Sequence, residues 1–537
     1  MSTRQADIRR YLVPVNTTST QQLFTDCLVV GAGIAGLRAA LEAAEHCNVT
    51  LVCKGTFSDS NTWNAQGGIA SVLDKADSFE SHISDTMKTG GGIADKAVVE
   101  RVVKEGPALI HQLDEWGTDF DRVDGHIDIS LEGGHSHARV AHAHGDSTGR
   151  GIAETLIRRV REMQTINIVE NFFTIDLLTN EEYECIGAIG LRPSGNPQII
   201  WAGATILATG GAGRLYRETT NPECATADGL AMAWRAGTVL RDMEFMQFHP
   251  TTLYIAGASR ALVTETLRGE GAILRDSNHE PFMKEYDPAG ELAPRDVVSR
   301  AILDRMLKTG ATHVHLDIRH FDKAHFQKRF PLISELCESF DIDISKDLIP
   351  VRPSAHYMIG GVKTDGNAAT NIGRLFACGE VASTGLHGAN RLGSNSLLEG
   401  LVFGKIAGQS AVSTINGPAR PEYQRMQFDV PPSDRSRLDA EDVRNSLRAL
   451  MWRNVGITRQ ETPLIEAAEI IAFWQRYVMD KVFTSPFGWE CQNMLTVAGL
   501  MTYAAKERKE SRGVHYRQDY PNRDDKNFVR HIELKRE

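Results

Sequence analysis

A chain of 537 residues, 42% apolar and 24% charged, has the composition of a soluble globular protein with length for two or three lobes. Its net charge of −10 argues against a general nucleic-acid binder, and no apolar run is long enough to cross a bilayer. The eight cysteines are scattered without a Cys-x-x-Cys pair or zinc-like spacing, so free thiols in a reducing cytoplasm are expected, with no metal site.

Residues 1–24 lack the apolar core of a secretory signal and read as a polar, mobile tail. Cys27-Leu-Val-Val30 then forms a short strand that runs into Gly31-Ala32-Gly33-Ile34-Ala35-Gly36. A helical pattern follows over 37–46, and a second strand over 49–53. Strand, Gly-x-Gly-x-x-Gly, helix, strand is the context in which this motif binds a dinucleotide, because the glycines let a pyrophosphate approach the helix N-terminus. The acidic ribose ligand expected at the end of the second strand is absent. Lys54 stands there and suits phosphate or adenine-side contacts. Asn61-Thr62-Trp-Asn-Ala65-Gln66-Gly67-Gly68 has neither helical nor strand period. It is either a surface loop or a loop laid along the cofactor, with Gln66 and backbone N–H groups as donors.

Residues 78–117 read as mainly helical. Glu132-Gly-Gly-His-Ser-His-Ala-Arg139, with His142 and His144 beyond it, suits polar site lining or surface better than a metal, since the His-x-His pair lacks a clear carboxylate partner. Segments 168–173 and 186–191 suggest a small β-layer. Strands near 204–207 and 375–378 again end in glycine-rich turns, so three strand ends point to one parallel sheet with a ligand at its carboxyl edge. The more charged stretch 244–350 reads as an inserted α+β domain. Segment 418–437 is a Pro-rich linker. In 438–537, helical spacing of Val443, Leu447, Leu450, Met451 and Val455 implies a helical bundle followed by a polar tail. Segments 25–243 and 351–417 would then form one Rossmann-like α/β domain.

The loop Gly385-Leu-His-Gly-Ala-Asn-Arg391-Leu-Gly-Ser-Asn-Ser396-Leu397-Leu-Glu399 precedes an apolar, small-residue run. Ser396 and Glu399 have capping-box spacing, which predicts a helix start at Ser396. Its N-terminus could meet one anion and the Arg391 fork a carboxylate. The plain alternative is a Gly-rich turn before a core helix.

Taken together, Gly31–Gly36, Ala65-Gln-Gly-Gly-Ile69, Ala208-Thr-Gly-Gly211, Gln247-Phe-His-Pro250, Leu267-Arg-Gly-Glu-Gly271, Pro294-Arg-Asp296, His356-Tyr-Met-Ile-Gly-Gly361 and Ser511-Arg-Gly513 resemble the succinate dehydrogenase/fumarate reductase flavoprotein family over residues 26–521. The resemblance implies FAD, a Rossmann-like flavin domain, a capping domain, a C-terminal helical domain, and hydride and proton exchange on a dicarboxylate. It implies flavin contacts from residues 31–36, Lys54, Asn61, Thr62, Ala65, Gln66, Gly67, Gly68, Asp228 and Glu380, and from the N–H groups of Ser396 and Leu397. Respiratory members bond FAD covalently through a His at the position of Asn61; an amide cannot, so non-covalent FAD is expected.

At Glu132, members that act on succinate usually carry an uncharged residue. A carboxylate there repels a plain dicarboxylate and attracts an α-ammonium. The stretch is similar to that of members that oxidise L-aspartate to iminoaspartate with O2 or fumarate as acceptor. That reaction is the first step of the quinolinate route to NAD, with a functional link to quinolinate synthase. By the same resemblance, Arg391 and His356 hold one carboxylate, His249 with Thr264 and Gln247 the other, and Glu132 the ammonium. Arg295 carries the proton, with Glu265 and Arg268, at i and i+3, behind it. The hydride leaves Cα as an N–H proton departs, or both leave across Cα–Cβ; the first is preferred. The rivals are a soluble fumarate reductase or succinate dehydrogenase-type enzyme, and a flavin-binding subunit inert without partners.

Overall fold

The apolar run before the first glycines is the end of a longer strand, Gln21–Val30, inside a seven-stranded sheet. The structure, a computed structural model, describes residues 8–255, 260–417, 425–431 and 438–536. Strand order in the sheet is Phe173–Thr179, Cys185–Leu191, Pro197–Leu207, Gln21–Val30, Val49–Val52 and Ile166–Val169, with Leu375–Ala377 also paired to Pro197–Leu207. Parallel registers align Leu207 with both Val30 and Ala377, and Val30 with Val52. The three glycine-rich turns therefore leave one edge at one level, as the sequence led us to expect. The antiparallel pairing of Phe173–Thr179 with Cys185–Leu191, and of Cys185–Leu191 with Pro197–Leu207, makes the sheet mixed.

Helix Ile34–Ala44 packs on helix Asn395–Ile415 at close range. A Cβ on Gly404 would lie 2.6 Å from the carbonyl oxygen of Ala35, and one on Gly408 2.8 Å from that of Ala39. The small-residue run after Leu397 is thus a helix–helix contact surface, and it fixes the end of the loop 385–399 against the dinucleotide motif.

A second sheet, wholly antiparallel, forms the inserted cap: Met246–Leu253, Ile349–Met358, Val314–Asp317 and Ile273–Arg275 in that order. Helix Arg295–Thr309 buries Val298 and Ile302 in the core beneath it. Strand Ile349–Met358 runs unbroken through residue 350, where the cap was expected to end, so His356 and His249 come from neighbouring strands of one sheet. Helices Ala440–Asn454, Glu461–Val478 and Pro486–Glu507 form the C-terminal unit. The chain then returns across the molecule. Val514 N–H donates to the Ala389 carbonyl at 3.0 Å, and Arg512, buried with Glu510, donates to the Gly91 carbonyl at 2.6 Å.

Three expectations need correction. The described part of the N-terminal segment is not a mobile tail. Ile8, Tyr11, Leu12, Val13 and Val15 are buried against Phe173, Ile175, Trp201 and Trp489, and Leu12 N–H donates to Asp176 at 2.8 Å. Residues 1–7 lie outside the described residues. Within the expected linker, Gln427–Phe428 pairs with Val15–Asn16, while 418–424 and 432–437 lie outside the described residues. The long helix begins at Asn395, not Ser396, after Ser394 in the left-handed region at φ 62°. Glu399 does not close a capping box; it accepts from Thr384 and Tyr357 and pairs with His387. Burial of the Glu399 carboxylate gives those tertiary donors precedence over the local motif.

Among the described residues no helix is long and apolar enough to cross a membrane.

Candidate functional site

One cavity of about 1210 Å³ opens at the carboxyl edge of the seven-stranded sheet and runs beneath the cap. That exceeds the size of a drug-like ligand site and leaves room for a dinucleotide together with a small molecule.

At its sheet end the walls are mostly backbone. Gly31 has φ +110°, and a Cβ there would stand 2.2 Å from the Ala208 carbonyl oxygen; a Cβ on Gly36 would stand 1.9 Å from that of Gly31. These two glycines are required for the turn to close over the neighbouring strand end. Gly31, Ala32, Gly33, Ile34 and Ala35 line the cavity; Gly36 lies behind them. Ile34 N–H is taken by the Thr62 hydroxyl at 3.0 Å, which ties the loop 61–68 to the helix start. Ala65, Gln66, Gly67 and Gly68 line the same wall, so this segment is a cavity loop and not a surface loop. Gln66 Oε1 and the Thr209 hydroxyl are buried there with no partner among the described residues, which suits a polar ligand lying along the wall. With the glycine cradle, they fit FAD.

Two residues expected at this end are more engaged than their sequence suggested. The Lys54 ammonium lies 2.8 Å from Asp228 and 2.5 Å from Glu490, and bonds the Thr226 hydroxyl. Burial opposes its charge, but the two carboxylates outweigh that and hold it above its ordinary value. Asp228 also accepts from Asn493 at 2.7 Å. Lys54 lines the cavity with its ammonium paired to two carboxylates, a pairing invisible in sequence because Glu490 is supplied by the C-terminal helices. Asn61 Nδ2 donates to Glu380 at 3.0 Å, and Met358 N–H donates to the other oxygen at 2.9 Å. Burial pushes the Glu380 carboxyl up to about 7.

At the cap end the walls are charged side chains. Arg295, the first residue of its helix, places Nε 2.5 Å from Glu265 Oε2; Arg268 reaches Glu265 Oε1 at 3.1 Å. Burial opposes ionisation of Glu265, but Arg295 and Arg268 hold it below the usual carboxylate range, while burial pulls Arg268 down. Gln247 Oε1 accepts from Arg391 at 2.8 Å and from Arg295 at 3.3 Å, and its NH2 donates to Asn390 and to the Arg391 carbonyl. Both ends of that amide are spent inside the protein, so Gln247 joins the two arginines and does not itself reach outward. Arg391 also donates from Nε to the Ser396 hydroxyl and stacks 4.7 Å from the centroid of Tyr357. Burial first, then Arg295, pushes it down to about 10.

The rings of His249 and His356 lie 5.2 Å apart. His356 Nδ1 meets the Thr220 hydroxyl at 2.9 Å, and His249 Nδ1 meets backbone of Thr251 at 3.0 Å. Both are driven well below the ordinary imidazole value, by burial first and then by the nearby arginines. His356, Thr264, Arg295 and Arg391 line the cavity; His249 is buried beside His356. Into this cationic set projects one more carboxylate. Glu132 is 4% exposed and accepts from Ser394 at 2.7 Å and from Thr266 at 3.1 Å. A Cβ on Gly393 would sit 3.2 Å from Arg295, 3.5 Å from Glu265 and 3.7 Å from Glu132, so the charges converge over that glycine.

Of the histidines near Glu132, His142 stays beside it, with Nε2 3.7 Å from Oε1, and the others turn to different partners. His135 meets the Gly393 carbonyl at 3.1 Å, His142 the Ser130 hydroxyl at 2.9 Å, and His137 the Ser81 hydroxyl at 3.0 Å. Sequence reasoning missed Ser394, Thr266, Tyr357 and Thr220. The first two are single hydroxyls in segments singled out for other residues, and no spacing marks them.

Comparison with known proteins agrees with this geometry. Residues 26–397 match the FAD binding domain family, and residues 444–537 the fumarate reductase flavoprotein C-terminal family. The chain is 39% identical to L-aspartate oxidase of Yersinia pestis over 94% of its length and 97% of that protein. It is 40% identical to L-aspartate oxidase of Pseudomonas aeruginosa, covering 93% and 96%. Among solved structures, E. coli quinol fumarate reductase superposes with a TM-score of 0.89 at 34% identity, covering 96% of each chain. The chain belongs to the succinate dehydrogenase/fumarate reductase flavoprotein family, on the side of it that contains the L-aspartate oxidases.

Proposed function

We propose that this protein oxidises L-aspartate to iminoaspartate, using non-covalent FAD and passing the electrons to O2 or fumarate. The observation that carries this reading is the buried carboxylate of Glu132 inside a pocket otherwise built for two carboxylates. Arg391 and His356 would hold one substrate carboxylate, and His249 with Thr264 the other. Because both histidines stay neutral, each has a single N–H and the arginines remain the cations. His249 can donate to a carboxylate only as the Nε2–H tautomer, with Nδ1 accepting from the Thr251 N–H at 3.3 Å. Glu132 would pair with the α-ammonium and fix which face of Cα is presented. Gln247 acts through the arginines as a positioning residue.

Bound FAD supplies the acceptor for the hydride leaving Cα. The chain itself must take one proton from the ammonium, leaving a C=NH2⁺ product. Arg295 is ordinarily protonated and cannot accept directly. With Glu265 Oε2 at 2.5 Å from Nε, Arg295 can first pass an N–H proton to Glu265. The neutral guanidine then takes the substrate proton on its imine nitrogen and becomes a guanidinium again, so the net transfer is from the ammonium to Glu265. Arg268 on the far oxygen favours the ionised form of Glu265 and so helps it give the proton up again. At the flavin end, helix Asn395–Ile415 has no side-chain cap, so its first N–H groups, including Ser396 and Leu397, face the cavity region and favour negative charge there. An imine product is short-lived in water, which fits a cytoplasmic enzyme whose product is consumed promptly by a quinolinate synthase.

The rival reading, a fumarate reductase or succinate dehydrogenase-type enzyme, draws on the same arginines and histidines, which suit any four-carbon dicarboxylate. Anaerobic flavin bleaching separates the two. L-Aspartate is expected to bleach the flavin and succinate not; bleaching by succinate alone overturns the assignment. Glu132→Gln is expected to weaken L-aspartate by about tenfold or more, as for a lost charged hydrogen bond, and fumarate far less.

A further inference from the structure

Glu132 is held from two sides. Its Oε2 accepts from Ser394, which immediately precedes the long helix of the flavin-binding unit. Its Oε1 accepts from Thr266, on the short cap helix Thr266–Gly269. The two donors belong to different sheets' surroundings, and the carboxylate spans the seam between them. Ser394 is a non-glycine residue at φ 62°, a conformation that persists only where neighbours impose it. They do so at three successive residues. The Gly393 carbonyl meets His135 at 3.1 Å, the Ser394 carbonyl accepts from Ala70 N–H at 3.0 Å, and Asn395 bonds His82 at 2.9 Å and Thr86 at 3.0 Å. On the other side Gly133 presses on the cap, since a Cβ there would meet Glu265 Oε1 at 2.7 Å.

We propose that Ser394 and Thr266 are specificity-determining positioning residues, which clamp the Glu132 carboxylate between cap and flavin-binding unit so that it stands ready for an α-ammonium. This rests on the reading of Glu132 as the ammonium partner. An ionised carboxylate has about four lone-pair sites. Two hydroxyl donors use one on each oxygen, fix the rotamer, and leave the remaining lone pairs for the ammonium. Both donors are O–H groups with no charge of their own, and the His142 ring, 3.7 Å from Oε1, is kept neutral by burial. They hold the carboxylate without cancelling its attraction for a cation, as an arginine partner would. A substrate with no ammonium gains nothing from this arrangement, so removing either hydroxyl should fall on L-aspartate selectively.

The test compares Ser394→Ala, Ser394→Gly, Thr266→Val and Thr266→Ser with the unaltered FAD-loaded protein. The half-saturating L-aspartate concentration and limiting rate of anaerobic bleaching are measured, with the half-saturating fumarate concentration for reoxidation. FAD content reports folding. Ser394→Gly relieves the backbone yet still lacks the hydroxyl; Thr266→Ser keeps the donor. Ala, Gly and Val variants are expected to raise half-saturation for L-aspartate by about tenfold or more, with much smaller changes in limiting rate and in fumarate. Thr266→Ser should restore L-aspartate binding. If Ser394→Gly and Thr266→Val keep L-aspartate within a factor of about two while Glu132→Gln loses it, the clamp is wrong and the role of Glu132 stands. Equal losses for L-aspartate and fumarate in these variants also overturn the clamp. If Glu132→Gln itself weakens both alike, the reading beneath the proposal fails.

Discussion

The two ends of the cavity are made of different material. The sheet end is backbone: glycines that let strand ends and a helix start approach one another, with Thr62 and Gln66 as the side chains that matter. The cap end is charge: three arginines, two neutral histidines and two carboxylates delivered from the segments around 132, 247–249, 265–268, 295, 356 and 391. A dinucleotide is long and its phosphates can be met by fixed N–H groups. A four-carbon acid is small, and discriminating among its relatives requires charges placed individually. The first kind of site is spoiled by adding atoms, the second by removing them.

The sharpest separation comes from Arg295→Leu. It should lower the rate of bleaching by L-aspartate by about 10²–10⁴-fold, the range for loss of a positioned acid–base group, while FAD content stays that of the unaltered protein. Loss of FAD along with the rate would mean that the two ends are not independent. Gly36→Ala tests the converse. The added Cβ would stand 1.9 Å from the Gly31 carbonyl oxygen and 3.2 Å from Ala208 Cβ, so the turn must open. At about 1–3 kcal/mol for overpacking, FAD should bind some ten- to a hundredfold more weakly by flavin fluorescence on dilution. At saturating FAD the rate should largely return.

Acidity acts with opposite sign at the two ends. His249 and His356 stay neutral in the folded protein, whereas the unfolded chain takes up protons near the ordinary value of about 6.5. Above that pH these rings add no pH dependence. Below it the unfolded state binds more protons, and stability falls by up to about 1.4 kcal/mol per pH unit for each ring. The Glu380 carboxyl, raised to about 7, behaves in reverse. Its contribution is full below the ordinary carboxylate value and is lost as pH rises through about 7. Urea midpoints between pH 5 and 8 should therefore drop less steeply on the acid side in His356→Gln, and less on the neutral side in Glu380→Gln. An unchanged acid slope in His356→Gln would mean that the ring is protonated in the folded state.

The difference between the ends also governs what could be read from the sequence. The sheet end is local: strand, glycines and helix are consecutive, and the two other strand ends carry the same signature, so the parallel edge was legible. The cap end was legible only where residues fall in a short motif. Glu265 and Arg268 stand one helical turn apart, and Arg295 completes their chain through tertiary contact. Ser394 and Thr266 left no trace, because a lone hydroxyl has no period and its partner is over 100 residues away in sequence. Ser396 and Glu399 misled for the opposite reason: the spacing fits a local cap, but Arg391, Tyr357, His387 and Thr384 offer those side chains buried partners. The N-terminal segment misled because Tyr-Leu-Val-Pro-Val at 11–15 is too short an apolar run to stand out among polar neighbours, although the sheet and the C-terminal helices bury it.

The smallest effect is expected where the two materials meet. Asn61 Nδ2 donates to Glu380, and Met358 N–H from the cap sheet donates to the same carboxyl. Asn61→Ala removes one neutral donor from an acceptor already partly protonated near neutral pH, so the loss should be that of an ordinary hydrogen bond, about 0.5–1.5 kcal/mol. FAD affinity should fall by no more than about tenfold, less than in Gly36→Ala. A donor stabilises the ionised carboxyl more than the protonated one. Its removal should therefore move Glu380 further upward, and the infrared carbonyl band of the protonated acid should persist to higher pH. If the band does not move, Met358 N–H alone sets the state of Glu380, and Asn61 contributes at this position only as an uncharged side chain that fits.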